Sequence, residues 1–135
     1  MLRYDFLNLT KQILSEEELL SKYSEYLTLR YHIETAQIKE LVQAREKLGT
    51  TLIAENFSLP HVHYEGKQQG ILLVSYRNLD GKLSWKLVLV MNEAEPEPEL
   101  TEFLTHNLTE SGITRLKMCN SLSDLHKIIK EKLDV

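Results

Sequence analysis

Two histidines stand one residue apart, His61 and His63, either side of Val62 and directly after Pro60. In an extended segment residues two apart face the same side, so both imidazoles could meet one ligand. Imidazole has two uses near neutrality. Its unperturbed pKa of ~6.5 leaves an unprotonated, nucleophilic nitrogen, and it is a common zinc ligand. A zinc site needs at least a third protein ligand. His32, His106 and His126 are isolated, each in or beside a helical segment, so no metal site is expected. Spacing alone does not separate a reactive pair from an ordinary surface or core pair.

Arg45 is the second residue with chemical interest. Ile38, Leu41 and Val42 form the apolar stripe of an expected helix, and the next position on that face is Arg45. A guanidinium cannot lose its proton and must reach water or find an anion. It can snorkel to the surface or pair with a nearby glutamate. It can also clamp two oxygens of a phosphoryl group at once.

The run Arg45-Glu46-Lys47-Leu48, then Thr51, then Phe57-Ser58-Leu59-Pro60-His61 resembles the active-site signature of the fructose/mannitol family of enzyme IIA domains of the bacterial sugar phosphotransferase system. Leu83-Ser84-Trp85, followed by Leu87-Val88-Leu89-Val90, is similar to the tryptophan and hydrophobic strand of regulatory versions of that domain. The resemblance extends over nearly the whole chain. It implies an α/β fold with a central mixed β-sheet flanked by helices. It also implies that His61 is the phosphoryl acceptor and Arg45 the phosphoryl clamp. The phosphoryl donor would be the histidine-containing phosphocarrier protein. The recipient would be an enzyme IIB or, in the version found in antiterminator-type transcription regulators, the other domains of a parent regulator. No cofactor is implied.

The chain departs from that family at an informative place. Transport-type members carry a second active-site histidine just before the third helix, in a pattern like Glu-His-Leu. Here Pro98-Glu99-Leu100 puts Glu99 in that place. Two like unit charges ~4 Å apart repel by about 4 kcal/mol at an effective dielectric of ~20, so an ionised Glu99 facing a phosphoryl dianion would oppose it. Three arrangements stay open: Glu99 turned to solvent, His63 acting as a helper that supplies the missing donor, or a site that phosphorylates poorly. Glycines that the family places before Leu-Pro-His are replaced by Ala54, Glu55 and Asn56, and Glu55 adds negative charge. These changes point to a regulatory or divergent member.

The elements that must position these residues are partly marked. Ser15-Glu16-Glu17-Glu18 has the form of a capping box, and Leu19, Leu20, Tyr23, Tyr26 and Leu27 follow at helical spacing, predicting a helix over about 16–27. A second helix is expected from after Thr35 to about Leu48, with Gly49 as its stop. Residues 50–65 read as short strands with irregular connections. Ile71–Tyr76 and Leu83–Met91 are β-rich, and the Asp80-Gly81 turn signal makes a hairpin plausible. Pro96 and Pro98 forbid a strand or helix interior and lead into a third helix, with Leu100, Phe103, Leu104, Asn107 and Leu108 on one face. A last helix runs from Ser121 to about Leu133, with Leu122, Leu125, Ile128, Ile129 and Leu133 inward. Before it, Leu116 and Met118 alternate as in a short strand, or form a packed turn with Ile113.

Composition bounds the rest. The 135 residues fit one domain over 1–135 with a single hydrophobic core. Hydrophobic residues at 42% and charged residues at 27% are globular values. The net charge is −4 and the basic residues are scattered, which disfavours direct nucleic-acid binding. The single Cys119 permits no intrachain disulfide and reads as a small, partly buried apolar residue. No run approaches the ~20 apolar residues of a membrane span, and the N-terminus lacks a signal-peptide core. A cytoplasmic protein without membrane insertion is the expectation.

Overall fold

The first strand carries no strong sequence signal, because its two faces bury different chemistry. The computed structural model describes residues 2–133, and side chains over 2–130. In it β1 (Arg3–Ile13) turns Tyr4 and Phe6 toward one layer of helices, and Leu7 and Leu9 toward the other. Asp5, also buried, accepts from the Tyr26 hydroxyl at 2.9 Å and from the Arg30 guanidinium at 3.1 Å. A buried carboxylate with these partners interrupts the apolar alternation without breaking the strand.

The helices α1 (Glu16–Tyr31) and α2 (Thr35–Lys47) follow. The capping box is formed: the Glu18 amide donates to Ser15 Oγ and the Ser15 amide to Glu18 Oε1, both at 3.1 Å. α1 runs past the expected end at Leu27 to Tyr31 and stops where His32 adopts a left-handed conformation. Then come β2 (Leu52–Ala54), β3 (Phe57–Ser58), β4 (His61–His63), β5 (Gly70–Arg77) and β6 (Leu83–Met91). β5 and β6 pair as the antiparallel hairpin suggested by Asp80-Gly81. Asn78 Oδ1 accepts from the Asp80 and Lys82 amides, and Gly81 takes the positive φ of 74° that the turn requires.

The sheet is mixed, in the order β1-β5-β6-β3-β2, with β4 also beside β6. β1 is parallel to β5, and β3 and β4 are parallel to β6. The same number of residues separates Phe57 from His61 as separates Trp85 from Leu89. β3 and β4 are therefore one strand in one register, interrupted where Pro60 has no amide to donate.

The chain ends with α3 (Pro98–Asn107), α4 (Glu110–Lys117) and α5 (Leu122–Leu133). Helices α1 and α2 cover one sheet face over Val62, Leu72, Val74, Val88 and Val90. Helices α3–α5 cover the other over Phe57, Ile71, Leu73, Leu87 and Leu89. The expected α/β architecture, a central mixed sheet flanked by helices, is the one observed.

Three local expectations change. Residues 110–117 are neither strand nor packed turn but a helix, started by Thr109, whose side chain accepts from the Gly112 amide. Leu116 packs into the core while Met118 is exposed, so their spacing was not a strand alternation. Leu122, at the N-terminus of α5, is 39% exposed rather than inward, because the first turn overhangs the core that Leu125 and Ile128 enter. The side chain of Leu133 lies outside the described residues. Cys119 is buried, and burial, helped by Asp124, pushes its thiol up to about 11.

Candidate functional site

The strand that carries His61 owes its position to β6. Val62 is fully buried in the α1–α2 core. Strand alternation then turns His61 and His63 to the opposite face, level with Leu89 and Met91. Both imidazoles are half-buried at the sheet flank. Their ring centroids are 5.7 Å apart and their planes 17° from parallel. Thr51 helps by its backbone, its carbonyl accepting from the Leu59 amide at 2.9 Å. The β2–β3 turn before the strand is made by Asn56 at φ 55°, a left-handed position otherwise suited to glycine.

Arg45 comes from the last turn of α2, which packs on β4. Its Nη1 donates to the Gly49 carbonyl at 3.3 Å, and among the described residues no carboxylate forms an ion pair with it. Its charge nevertheless reaches His61. Burial lowers the His61 pKa below its ordinary value, and the charges of Arg45 and His63 lower it further. His61 is thus held in its neutral form, with a nitrogen lone pair to offer.

His63 has a different environment. Its Nδ1 lies 2.6 Å from Glu93 Oε1, while its Nε2 is buried with no hydrogen-bond partner. A carboxylate only accepts, so Nδ1 carries the proton. Glu93 opens the acidic, proline-containing stretch that runs to Glu99. No local signal marks it; only the parallel register, which ends β4 beside Met91, brings Glu93 to His63. The loop itself is fixed by two buried side chains. Asn92 donates to the Glu65 and Gly66 carbonyls and accepts from the Ala94 and Glu95 amides. Gln69 donates to the Glu95 carbonyl and accepts from the Glu97 amide.

Glu99 is engaged by β1. Its Oε2 accepts from the Tyr4 hydroxyl at 2.8 Å, on the α3 side of β1. The charges that shift His61 are those of Arg45 and His63. Glu55 is exposed on the β2–β3 turn, its carbonyl accepting from Lys117 at 2.9 Å. The fold therefore sets His61 beside His63, brings Glu93 to His63, lets the charge of Arg45 act on His61, and ties Glu99 to Tyr4. Among the described residues no group of three or more His, Cys, Asp or Glu side chains is arranged to hold a metal ion, and no helix is long and apolar enough to cross a membrane.

The family model described as phosphoenolpyruvate-dependent sugar phosphotransferase system, EIIA 2, matches residues 1–132. No curated protein matches the chain by sequence at a significant level. Among solved structures, the chain is similar to nitrogen regulatory protein IIA-Ntr from Neisseria meningitidis, with 23% identity, TM-score 0.65, and 91% of this chain and 90% of that one covered. It is also similar to the IIA component in the complex of enzyme IIAMTL and phosphorylated enzyme IIBMTL from Escherichia coli, with 19% identity, TM-score 0.65 and 94% of each chain covered. The crystal structure of IIA mannitol from Escherichia coli gives 21% identity and TM-score 0.62, over 92% of this chain and 94% of that one. At these identities the likeness is one of fold.

Proposed function

Because the chain belongs to the EIIA 2 family of the phosphoenolpyruvate-dependent sugar phosphotransferase system, we propose that it is a phosphohistidine carrier, with His61 as acceptor and Arg45 as clamp. The observation that carries this reading is the setting of His61: half-buried, lowered in pKa, and under the field of an arginine with no carboxylate partner among the described residues. A neutral ring nitrogen attacks the phosphorus of a phosphohistidine on the histidine-containing phosphocarrier protein. The new N–P bond forms as the donor's N–P bond breaks, and the donor imidazole leaves with the bonding electron pair. Phosphoryl transfer of this kind depends on positioning and on stabilising charge on the equatorial oxygens. The guanidinium can turn from the single 3.3 Å bond to Gly49 and grip two oxygens.

In this reading the domain works in the cytoplasm and serves regulation, its phosphorylation state reporting sugar flux to a transcription regulator. The support is the departure at Glu99: the position of the family's second histidine holds a carboxylate bonded to Tyr4. A second reading, onward transfer to an enzyme IIB, is favoured by the likeness to enzyme IIAMTL, whose structure was solved with phosphorylated enzyme IIBMTL.

The test is incubation with phosphoenolpyruvate, enzyme I and the phosphocarrier protein, followed by mass measurement. An acid-labile phosphoryl adduct that His61→Ala abolishes is the expected result. No labelling would leave a protein-contact module that has kept the fold, and labelling that survives His61→Ala would refute the assignment.

A further inference from the structure

We infer that His63 is the second phosphoryl-binding group of this site, held for that task by Glu93, a carboxylate recruited from the loop after β6. The inference rests on the reading of His61 as the phosphoryl carrier.

Three observations support it. First, His61 and His63 project from one face of β4 with nearly parallel rings. The ring centroids are 5.7 Å apart, so a phosphoryl group on His61 would lie beside the His63 ring. Second, the 2.6 Å contact to Glu93 fixes the proton on Nδ1 and leaves Nε2 as a buried acceptor with no partner. Buried polar atoms are almost always satisfied, and one that is not calls for an explanation. A carboxylate behind an imidazole also fixes its tautomer and orients the ring. Third, the loop bearing Glu93 is anchored by Asn92 and Gln69 without help from the Glu93 side chain, which is 72% exposed. The carboxylate is free to serve His63 because the loop does not need it.

The step makes and breaks no bond on His63 except to hydrogen. As a phosphoryl dianion arrives on His61, His63 Nε2 takes one proton from water. The imidazolium then donates Nδ1–H to Glu93 and Nε2–H to a phosphoryl oxygen, and it returns the proton when the phosphoryl group leaves. The charged and titratable groups around it are His61 on its own strand, Glu93 on the loop after β6, and Arg45 at the end of α2, which acts on His61. Two cations, Arg45 and His63, then oppose the two negative charges of the phosphoryl group. His63 is a catalytic residue in this scheme and Glu93 a positioning residue. The competing account is a solvent-exposed histidine–glutamate pair of no chemical consequence.

The experiment uses the whole chain with nitrogen-15 in its histidine rings, observed by NMR before and after phosphorylation at pH 7.5. His63 is expected as the neutral Nδ1–H tautomer before, and with both nitrogens protonated after. Glu93→Gln is expected to lose the Nδ1–H preference without lowering the thermal midpoint. In transfer kinetics His63→Ala is expected to slow phosphoryl acceptance about 10- to 100-fold, with partial rescue by His63→Gln, which keeps a donor. Wild-type labelling on His61 together with an unprotonated His63 in the phosphorylated state overturns this inference alone. So do His63→Ala and Glu93→Gln variants that transfer at the wild-type rate. Absence of labelling on wild-type His61 removes the carrier reading and this inference with it.

Discussion

The Tyr4 hydroxyl donates to the Glu99 carboxylate at 2.8 Å, and Tyr4 stands at the far end of the cross-strand row that finishes at His61. Tyr4 is level with Ile71, Ile71 with Leu89, and Leu89 with His61. At about 4.8 Å per strand the row places their backbones about 14 Å apart. Burial raises the tyrosine's pKa, and Glu99 raises it further, so the hydroxyl keeps its proton for this bond. The Glu99 carboxylate, in the first turn of α3, is thus engaged by β1.

Glu99→Gln and Glu99→His should therefore change the rate of His61 labelling by less than about twofold, while Tyr4→Phe should cost about 1 kcal/mol of stability through the lost hydrogen bond. Labelling rates and urea titrations check both. A fivefold or larger acceleration in Glu99→His would show that this position reaches the site.

Arg45→Ala should slow phosphorylation of His61 by about 100-fold, in line with the loss of one charged transition-state contact. Arg45→Lys should recover only part of it, because an ammonium cannot make the two parallel bonds of a guanidinium. Equal rates in all three proteins would remove the clamp.

The lowered pKa of His61 has a pH signature. Burial, Arg45 and His63 all disfavour the imidazolium in the folded protein, so the unfolded chain binds the proton more readily. Stability contributed by this residue is then present above its ordinary pKa of ~6.5 and lost as pH falls from there toward the lowered folded value. An NMR titration should place His61 below 6.5, and Arg45→Ala should raise it only partly, because burial is the larger cause. His61→Gln should flatten the fall in stability over the same acid range, measured by urea denaturation at several pH values.

Asn56 holds a left-handed conformation at φ 55° just before the strand that carries His61. Asn56→Ala should destabilise the protein by about 1 kcal/mol, whereas Asn56→Gly should be neutral or slightly stabilising. Chemical denaturation of both variants distinguishes this backbone effect from loss of a side-chain contact, which would make the two equally damaging.

The helix starts, the hairpin and the alternation of β5 and β6 were legible because their signals are local: a capping box, an Asp-Gly turn, apolar residues at regular spacing. β1 was not, because its alternation is broken by an aspartate whose partners, Tyr26 and Arg30, lie 21 and 25 residues further along the chain. α4 is not legible because two apolar residues, Leu116 and Met118, are too few to reveal a period, and only the fold shows that of the two Leu116 alone turns inward.

The site divides in the same way. Sequence alone determined the residue types and their local frame: an imidazole after a proline, a second imidazole on the same side, and an arginine on the apolar stripe of a helix. Tertiary structure decided which carboxylate meets which partner. Glu93 and Glu99 sit six residues apart in one acidic stretch, yet one bonds His63 and the other Tyr4. That choice depends on the parallel register of β4 with β6 and of β1 with β5, pairings between distant segments that no local pattern encodes.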